Sequence, residues 1–210
     1  MSVDWSQLED LYQQGIESLA IKSLPEFCHY QAYLQRLIKW NKVYNLTAIR
    51  EPEAMLKQHV LESLAVLPYL SGDTRLDIGT GAGIPGVILA MAEPQAEWHL
   101  LDSNSKKTRF VQQVVIELEL KNVTVHHQRI EEHAMQAAYE LIISRAFTDV
   151  AEFYALSKDF LKEHGRMLAM KRGKPEQELN ALNQQGIRHQ FHYLSVLGNQ
   201  EAASVIEIMS

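Results

Sequence analysis

Four glycines fall within eight residues in Leu76-Asp77-Ile78-Gly79-Thr80-Gly81-Ala82-Gly83-Ile84-Pro85-Gly86, between a short apolar run and a segment with helical spacing. Glycine at this density lets a backbone turn tightly and approach a ligand closely, with φ values that side chains disfavour. A strand, such a turn and a helix in that order commit the chain to a βαβ unit, whose ligand lies at the carboxyl edge of a parallel sheet.

The rest of the chain is consistent with that start. After Ser71-Gly72-Asp73, short apolar runs alternate with longer helical stretches. Strands are expected at 75–78, 97–101, 123–127, 141–144, 166–170, about 188–196 and 203–209, and helices near 86–92, 104–120, 149–163 and 175–184. No helix separates the last two strands, and Gly198-Asn199 supplies a turn signal, so they should pair antiparallel. Residues 1–70 read as a helical cap on a 71–210 sheet domain, packed as one unit. Ser23-Leu24-Pro25-Glu26 is a capping-box start, followed by Tyr30, Leu34, Leu37, Ile38 and Trp40 at helical spacing. Pro52 opens a second helix, with Leu56, Val60, Leu64 and Leu67 on one side and a stop near Pro68.

Two cofactors fit the glycine turn. Gly81-x-Gly83-x-x-Gly86, with Asp102 about 20 residues on, matches a dinucleotide fingerprint and hence an NAD-dependent oxidoreductase. Asp77-x-Gly79-x-Gly81-x-Gly83 matches the first motif of S-adenosylmethionine-dependent methyltransferases. Asp77 favours the second: a carboxylate at the strand end suits the cofactor's cationic amino group, directly or through water, and would repel a pyrophosphate. Asp102, ending Trp98-His99-Leu100-Leu101, would accept from both ribose hydroxyls, each bond worth on the order of 1.5–3 kcal/mol.

These residues sit in a longer pattern that resembles the RsmG (GidB) family of bacterial 16S ribosomal RNA guanine-N7 methyltransferases. The resemblance rests on Lys39-Trp40-Asn41-Lys42-Val43-Tyr44-Asn45-Leu46-Thr47, His59-Val60-Leu61-Glu62-Ser63, the glycine turn, Leu100-Leu101-Asp102-Ser103, Arg129-Ile130-Glu131-Glu132 and Ile143-Ser144-Arg145-Ala146-Phe147. Glu62 is a departure, since the family commonly has Asp there. The resemblance implies a class I methyltransferase fold, with a Rossmann-like, doubly wound, mostly parallel α/β sheet. It implies methyl transfer from S-adenosylmethionine to N7 of one guanine in the 530 loop, guanine 527 in usual 16S numbering. It further implies a cofactor pocket formed by Gly79, Ile84, Ile130, Glu131 and Arg145. Guanine N7 carries a lone pair and no proton, so no general base is expected, and positioning by Arg145 is the catalytic contribution anticipated. A structural ion pair is the alternative use of Arg145. A non-catalytic RNA-binding module retaining the cofactor fold is a third reading of the chain.

Charge bears on the RNA. The 210 residues carry a net charge of -6, which by itself argues against a nucleic-acid binder. Three segments run the other way: 36–57 and 103–116 are each +3, and 164–175 is +4. Lys171, Arg172 and Lys174 follow the fifth strand on the edge of the glycine turn and are expected to border the pocket and bind RNA, with Lys39 and His59 as further contacts. His59 and Ser63, four apart on one helix, would share a face, which the resemblance places at the rim of the site, a satisfied interdomain histidine being the alternative; Trp40 and Tyr44 could stack on a base, with core packing the alternative for Trp40.

His126 and His127 point to opposite faces of a strand, and no Cys or carboxylate completes a metal site with them, His189 or His192. The one cysteine, Cys28, allows no internal disulfide and is expected as buried packing. The acidic amino terminus lacks the pattern of a signal peptide, and no apolar run is long enough to span a membrane. A cytoplasmic monomer acting on the small ribosomal subunit is the expectation.

Overall fold

A computed structural model of the chain describes residues 3–19, 21, 25–197 and 199–209. Seven strands form one sheet in the order β3-β2-β1-β4-β5-β7-β6. They are β1 (Thr74–Ile78), β2 (Glu97–Asp102), β3 (Val123–His127), β4 (Tyr139–Arg145), β5 (Leu161–Lys171), β6 (His189–Val196) and β7 (Asn199–Met209). The first five run parallel, and β7 lies antiparallel between β5 and β6. The order reverses between β2-β1 and β1-β4, which opens a crevice at the carboxyl ends of those strands.

The cap consists of α1 (Trp5–Leu19), α2 (Phe27–Tyr44) and a continuous helix from Pro52. That last helix begins as α3 (Pro52–Met55), widens into π-helical turns over Leu56–Leu61 and returns to α geometry in α4 (Glu62–Leu64). The 3.6-residue spacing predicted for Leu56, Val60 and Leu64 therefore passes through a wider segment, yet all three are fully buried. Between strands lie α5 (Gly86–Ala92), α6 (Ser105–Glu117), α7 (Val150–Ser157) and α8 (Glu176–Gln184). The cap helices, α5 and α6 share one buried cluster with one face of the sheet, including Leu34, Leu61, Val87, Phe110 and Leu141. Phe153, Leu179 and Leu182 cover the other face together with Leu76 and Ile142.

Three expectations need correction. The helix placed at 149–163 ends at Ser157, and after one 3-10 turn the chain is already strand at Leu161. Phe160 and Leu161, inside the expected helix span, are instead buried at the end of that turn and at the start of β5, where the pairing with β4 is irregular. Cys28 is exposed, because Phe27, Tyr30, Tyr33, Leu34 and Leu37 take the inner face of α2 and Cys28 falls outside it. α2 begins at Phe27, and its N-cap Glu26 makes no side-chain cap bond. Ser23 and Leu24 of the expected capping box, and Gly198 of the expected turn, lie outside the described residues.

The glycine turn is braced from three sides. The Gly79 and Thr80 amides donate to the Leu101 carbonyl at 2.8 and 3.1 Å. The Tyr33 hydroxyl of the cap donates to the Ala82 carbonyl at 2.8 Å. From below, Asp77 Oδ2 accepts from Thr80 Oγ1 at 2.6 Å and from the Gly86 amide at 2.9 Å. Gly79, Gly81 and Gly83 all have positive φ, and a Cβ on Gly83 would meet Val87 Cγ2 at 2.4 Å.

Asp77 is fully buried, and its Oδ1 has no hydrogen-bond partner. Burial pushes its carboxyl up to about 7, against the opposing bonds from Thr80 and Gly86. A raised folded-state value means that the folded chain holds a proton the unfolded chain has lost above about pH 4, so this residue's contribution to stability falls as pH rises towards 7. Asp77→Asn keeps the shape without the charge. Between pH 5 and 8, wild type should lose about 3 kcal/mol of unfolding free energy relative to the variant, with most of that loss below pH 7. Denaturant unfolding at the two pH values measures the difference, and parallel pH profiles would contradict it.

Candidate active site

Two clefts open at the carboxyl edge of the sheet. The first, of about 280 Å³, is lined by residues that include Gly79, Leu101, Asp102, Lys107, Gln128, Ile130 and Phe147. The second, of about 360 Å³, is lined by Glu62, Arg145, Ala146, Met170, Lys171, Arg172 and Ala203. Ala146 borders both clefts and has a φ of 54°, in the left-handed region that a side chain disfavours. Such strain at a junction of clefts points to a local geometry held in place by its surroundings.

The first cleft is organised by Asp102 at the end of β2. Its Oδ2 accepts from the Gly81 amide at 2.9 Å, and its Oδ1 accepts from the Asn104 amide at 2.8 Å. Asn104 in turn caps α6, accepting from the Lys106 and Lys107 amides. One carboxylate thus fixes the glycine turn, the end of β2 and the start of α6, with Lys107 Nζ 4.0 Å away. On the opposite wall, Arg129 and Glu132 form a reciprocal cap around the single turn Ile130–Glu132. This turn presents buried Ile130 and exposed Glu131 to the cleft. Phe147 closes over the turn, since a Cβ on Gly79 would lie 2.6 Å from its ring. A carboxylate with spare acceptor capacity, apolar Leu101 and Ile130, and polar Gln128 form a donor and acceptor set that suits an adenosine.

The expected cofactor residues divide accordingly. Gly79, Asp102, Ile130 and Glu131 line the first cleft, and Gly81 reaches it through its bond to Asp102. Gly83 and Ile84 lie behind the turn and do not line it. The direct form of the link expected from Asp77 to the cofactor's amino group is corrected by the geometry: its enclosed carboxylate braces the turn from beneath and forms no part of the cleft wall. Arg145 borders the second cleft, not the first.

In the second cleft a carboxylate from the cap meets two guanidiniums from the sheet edge. Arg145 donates to Glu62 Oε2 at 2.9 Å and to the Gln58 carbonyl at 2.5 Å. Arg172 donates to Glu62 Oε1 at 3.2 Å and also to the Gln58 side chain. Burial raises the Glu62 carboxyl above its usual range, while Arg145 and Arg172 pull it back. His59 is buried against this group and pushed down to about 3 by burial, then by Arg145 and Arg172, so its imidazole is neutral at physiological pH. Its Nε2 lies 3.0 Å from Thr47 Oγ1, and Ser63 Oγ donates to the His59 carbonyl at 2.6 Å. Both residues are buried, which corrects their expected place on an RNA-facing rim.

The basic segments are partly compensated. Lys171 is paired with Glu178 at 2.7 Å and donates to the Thr148 carbonyl, and Lys174 is paired with Glu176 at 2.8 Å and lines neither cleft. Of this segment Arg172 is the side chain most open to solvent at the cleft, 56% exposed against 15% for Lys171. Lys39 is exposed on α2, away from both clefts. Trp40 packs edge-on against Phe110, leaving Tyr44 and Val43 exposed at the end of α2.

Glu62 and Phe147 stand in the quoted motifs and Lys107 in a basic segment, but only the fold brings them and Gln128 to the clefts. A histidine group was missed for the same reason. His99 Nδ1 lies 2.8 Å from His126 Nε2, and His133 bridges Gln128 and Tyr139 at 2.8 Å each, behind the Ile130 turn. Burial, then its neighbours His99 and His133, pushes His126 down to about 4. Among the described residues no group of three or more His, Cys, Asp or Glu is arranged to hold a metal ion.

Comparison with known proteins agrees with this geometry. Solved structures with a similar fold include a SAM-dependent methyltransferase from Aquifex aeolicus, with TM-score 0.58 and 19% identity over 74% of this chain and 92% of that one. The glycopeptide N-methyltransferase MtfA has TM-score 0.59 and 12% identity over 75% of this chain and 99% of that one. Both likenesses establish the class I methyltransferase fold. Among curated relatives, "Ribosomal RNA small subunit methyltransferase G" of Marinomonas sp. (strain MWYL1) is 49% identical over 71% of this chain and 72% of its own length. The protein of the same name from Hahella chejuensis is 39% identical over 94% and 91%. The family described as GidB, rRNA small subunit methyltransferase G, matches residues 28–206. The chain belongs to that family of S-adenosylmethionine-dependent methyltransferases.

Proposed function

We propose that the chain transfers a methyl group from S-adenosylmethionine to N7 of a guanine in the 530 loop of 16S rRNA, guanine 527, acting in the cytoplasm as a monomer on the small ribosomal subunit. The observation that carries this reading is the junction at Ala146 between a cleft suited to an adenosine and a cleft edged by Arg145 and Arg172. S-adenosylmethionine would supply an activated methyl group at that junction.

The chain's own residues have defined tasks in this reading. Asp102 accepts hydrogen bonds from the ribose, the Gly79–Gly81 backbone approaches the cofactor closely, and Leu101 and Ile130 enclose the adenine. Arg145 is held by the Gln58 carbonyl and Glu62 so that its guanidinium cannot swing away from the junction. Arg172, more exposed, meets the RNA backbone. A guanine N7 has no proton to remove, so alignment and exclusion of water provide the rate enhancement. Lys171 contributes by holding the Thr148 carbonyl and α8 beside the cleft, and Lys39, Lys174 and the exposed Tyr44 lie outside the reacting centre.

Asp102→Asn should weaken S-adenosylmethionine binding about tenfold to a hundredfold while the variant still folds, since the amide oxygen can still accept from Gly81. Titration calorimetry measures this, and unchanged affinity would remove Asp102 from the cofactor site. Arg172→Ala should leave that affinity intact and lower labelled methyl transfer to small subunits about tenfold, with a shallower dependence of rate on salt. Equal transfer rates for the variant and wild type across the salt series would contradict the role given to Arg172.

A further inference from the structure

Glu62 is an unusual group to find in a cleft that otherwise presents cations to an RNA. It is 5% exposed, it comes from the cap while the rest of the cleft comes from the sheet edge, and it lines the cleft that meets the cofactor cleft at Ala146. A carboxylate has about four acceptor positions, two on each oxygen. Arg145 takes one on Oε2 and Arg172 one on Oε1, which leaves one on each oxygen. Two acceptors side by side match two parallel donors.

Among the four RNA bases, the pairing edge of guanine alone carries adjacent N–H donors, at N1 and at the 2-amino group. Adenine and cytosine place a ring acceptor there, which a carboxylate repels, and uracil offers a single N–H between two carbonyls. We propose that Glu62 reads the N1–H and 2-amino edge of the target guanine, while Met170, Ala203 and Ala146 provide the apolar surface for its ring. This rests on the guanine-N7 reading above.

The same contact serves the reaction. As N7 accepts the methyl carbon, the carbon–sulfur electron pair passes to sulfur, and the purine gains a positive charge without losing a proton. That charge makes N1–H a stronger donor, so its bond to an anionic Glu62 tightens towards the transition state and contributes to rate as well as to selection. Arg145 and Arg172, ion-paired to its two oxygens, favour the carboxylate form against the opposing effect of burial. A base held along its pairing edge leaves N7, on the opposite side of the purine, free to face the cofactor.

The test pairs a change in the protein with a change in the base. Small subunits are reconstituted with 16S rRNA carrying either guanine or inosine, which lacks the 2-amino group, at the target position. Wild type should lose about tenfold to a hundredfold in kcat/KM on inosine, as expected for one hydrogen bond to a charged acceptor. Glu62→Gln should be slower on guanine, bind S-adenosylmethionine as wild type does, and show a much smaller inosine penalty. Glu62→Asp, with its carboxylate retained, should restore part of that penalty. An equal inosine penalty in wild type and Glu62→Gln would overturn the proposal, because Glu62 would then only hold Arg145 and Arg172. Wild-type rates that do not distinguish guanine from inosine would overturn it without any variant. Failure of the N7 reading itself shows separately, as absence of 7-methylguanine from the wild-type reaction on guanine.

Discussion

The site depends on one buried carboxylate held between two guanidiniums. Glu62 belongs to the helical cap, Arg145 ends β4 and Arg172 follows β5, so this cluster ties the cap to the carboxyl edge of the sheet. Taking such charges out of water costs several kcal/mol per ion, and the pair is tolerable only where further hydrogen bonds satisfy what remains. The Gln58 carbonyl and side chain supply those bonds, from the π-helical turns one helix turn before Glu62. The widened helix thus places carbonyl, amide side chain and carboxylate together on the edge of the sheet, in keeping with the frequent use of π-turns at functional sites.

Much of the architecture is legible in the amino-acid order because its signals are local. The alternation of apolar runs and helical segments yields the seven strands, and β1, β2, β3 and β4 follow the expected positions with small extensions. Insertion of β7 between β5 and β6 is not legible, because pairing partners are chosen by burial on both faces and no short motif records it. Phe160 and Leu161 show the same limit at smaller scale: an apolar pair can end a helix or start a strand, and the neighbouring β4 decides.

Glycine spacing and Asp102 point to the first cleft, yet Asp77 shows how a motif can mislead about direction. Its spacing says that a carboxylate belongs at the strand end, and only the fold shows that one of its oxygens is taken by Thr80 and Gly86 beneath the turn. The basic run from Arg166 to Lys174 misleads in another way. Counting along the run gives a concentrated positive charge, but Glu176 and Glu178, just beyond its end, pair with Lys174 and Lys171, and Glu62 and Glu207 arrive from elsewhere to pair with Arg172 and Arg166. The net charge of -6 is therefore compatible with an RNA substrate, because recognition falls to a few placed groups rather than to a basic surface.

If the two clefts meeting at Ala146 bring a methyl donor and a guanine N7 together, the methyl group must end on that atom. Mass spectrometry of 16S rRNA from small subunits incubated with this protein and S-adenosylmethionine locates the methyl group directly. A single 7-methylguanine in the 530 loop, at guanine 527, is the expected result. A methyl group on any other atom of that loop, or no methyl group in it, would rule this arrangement out.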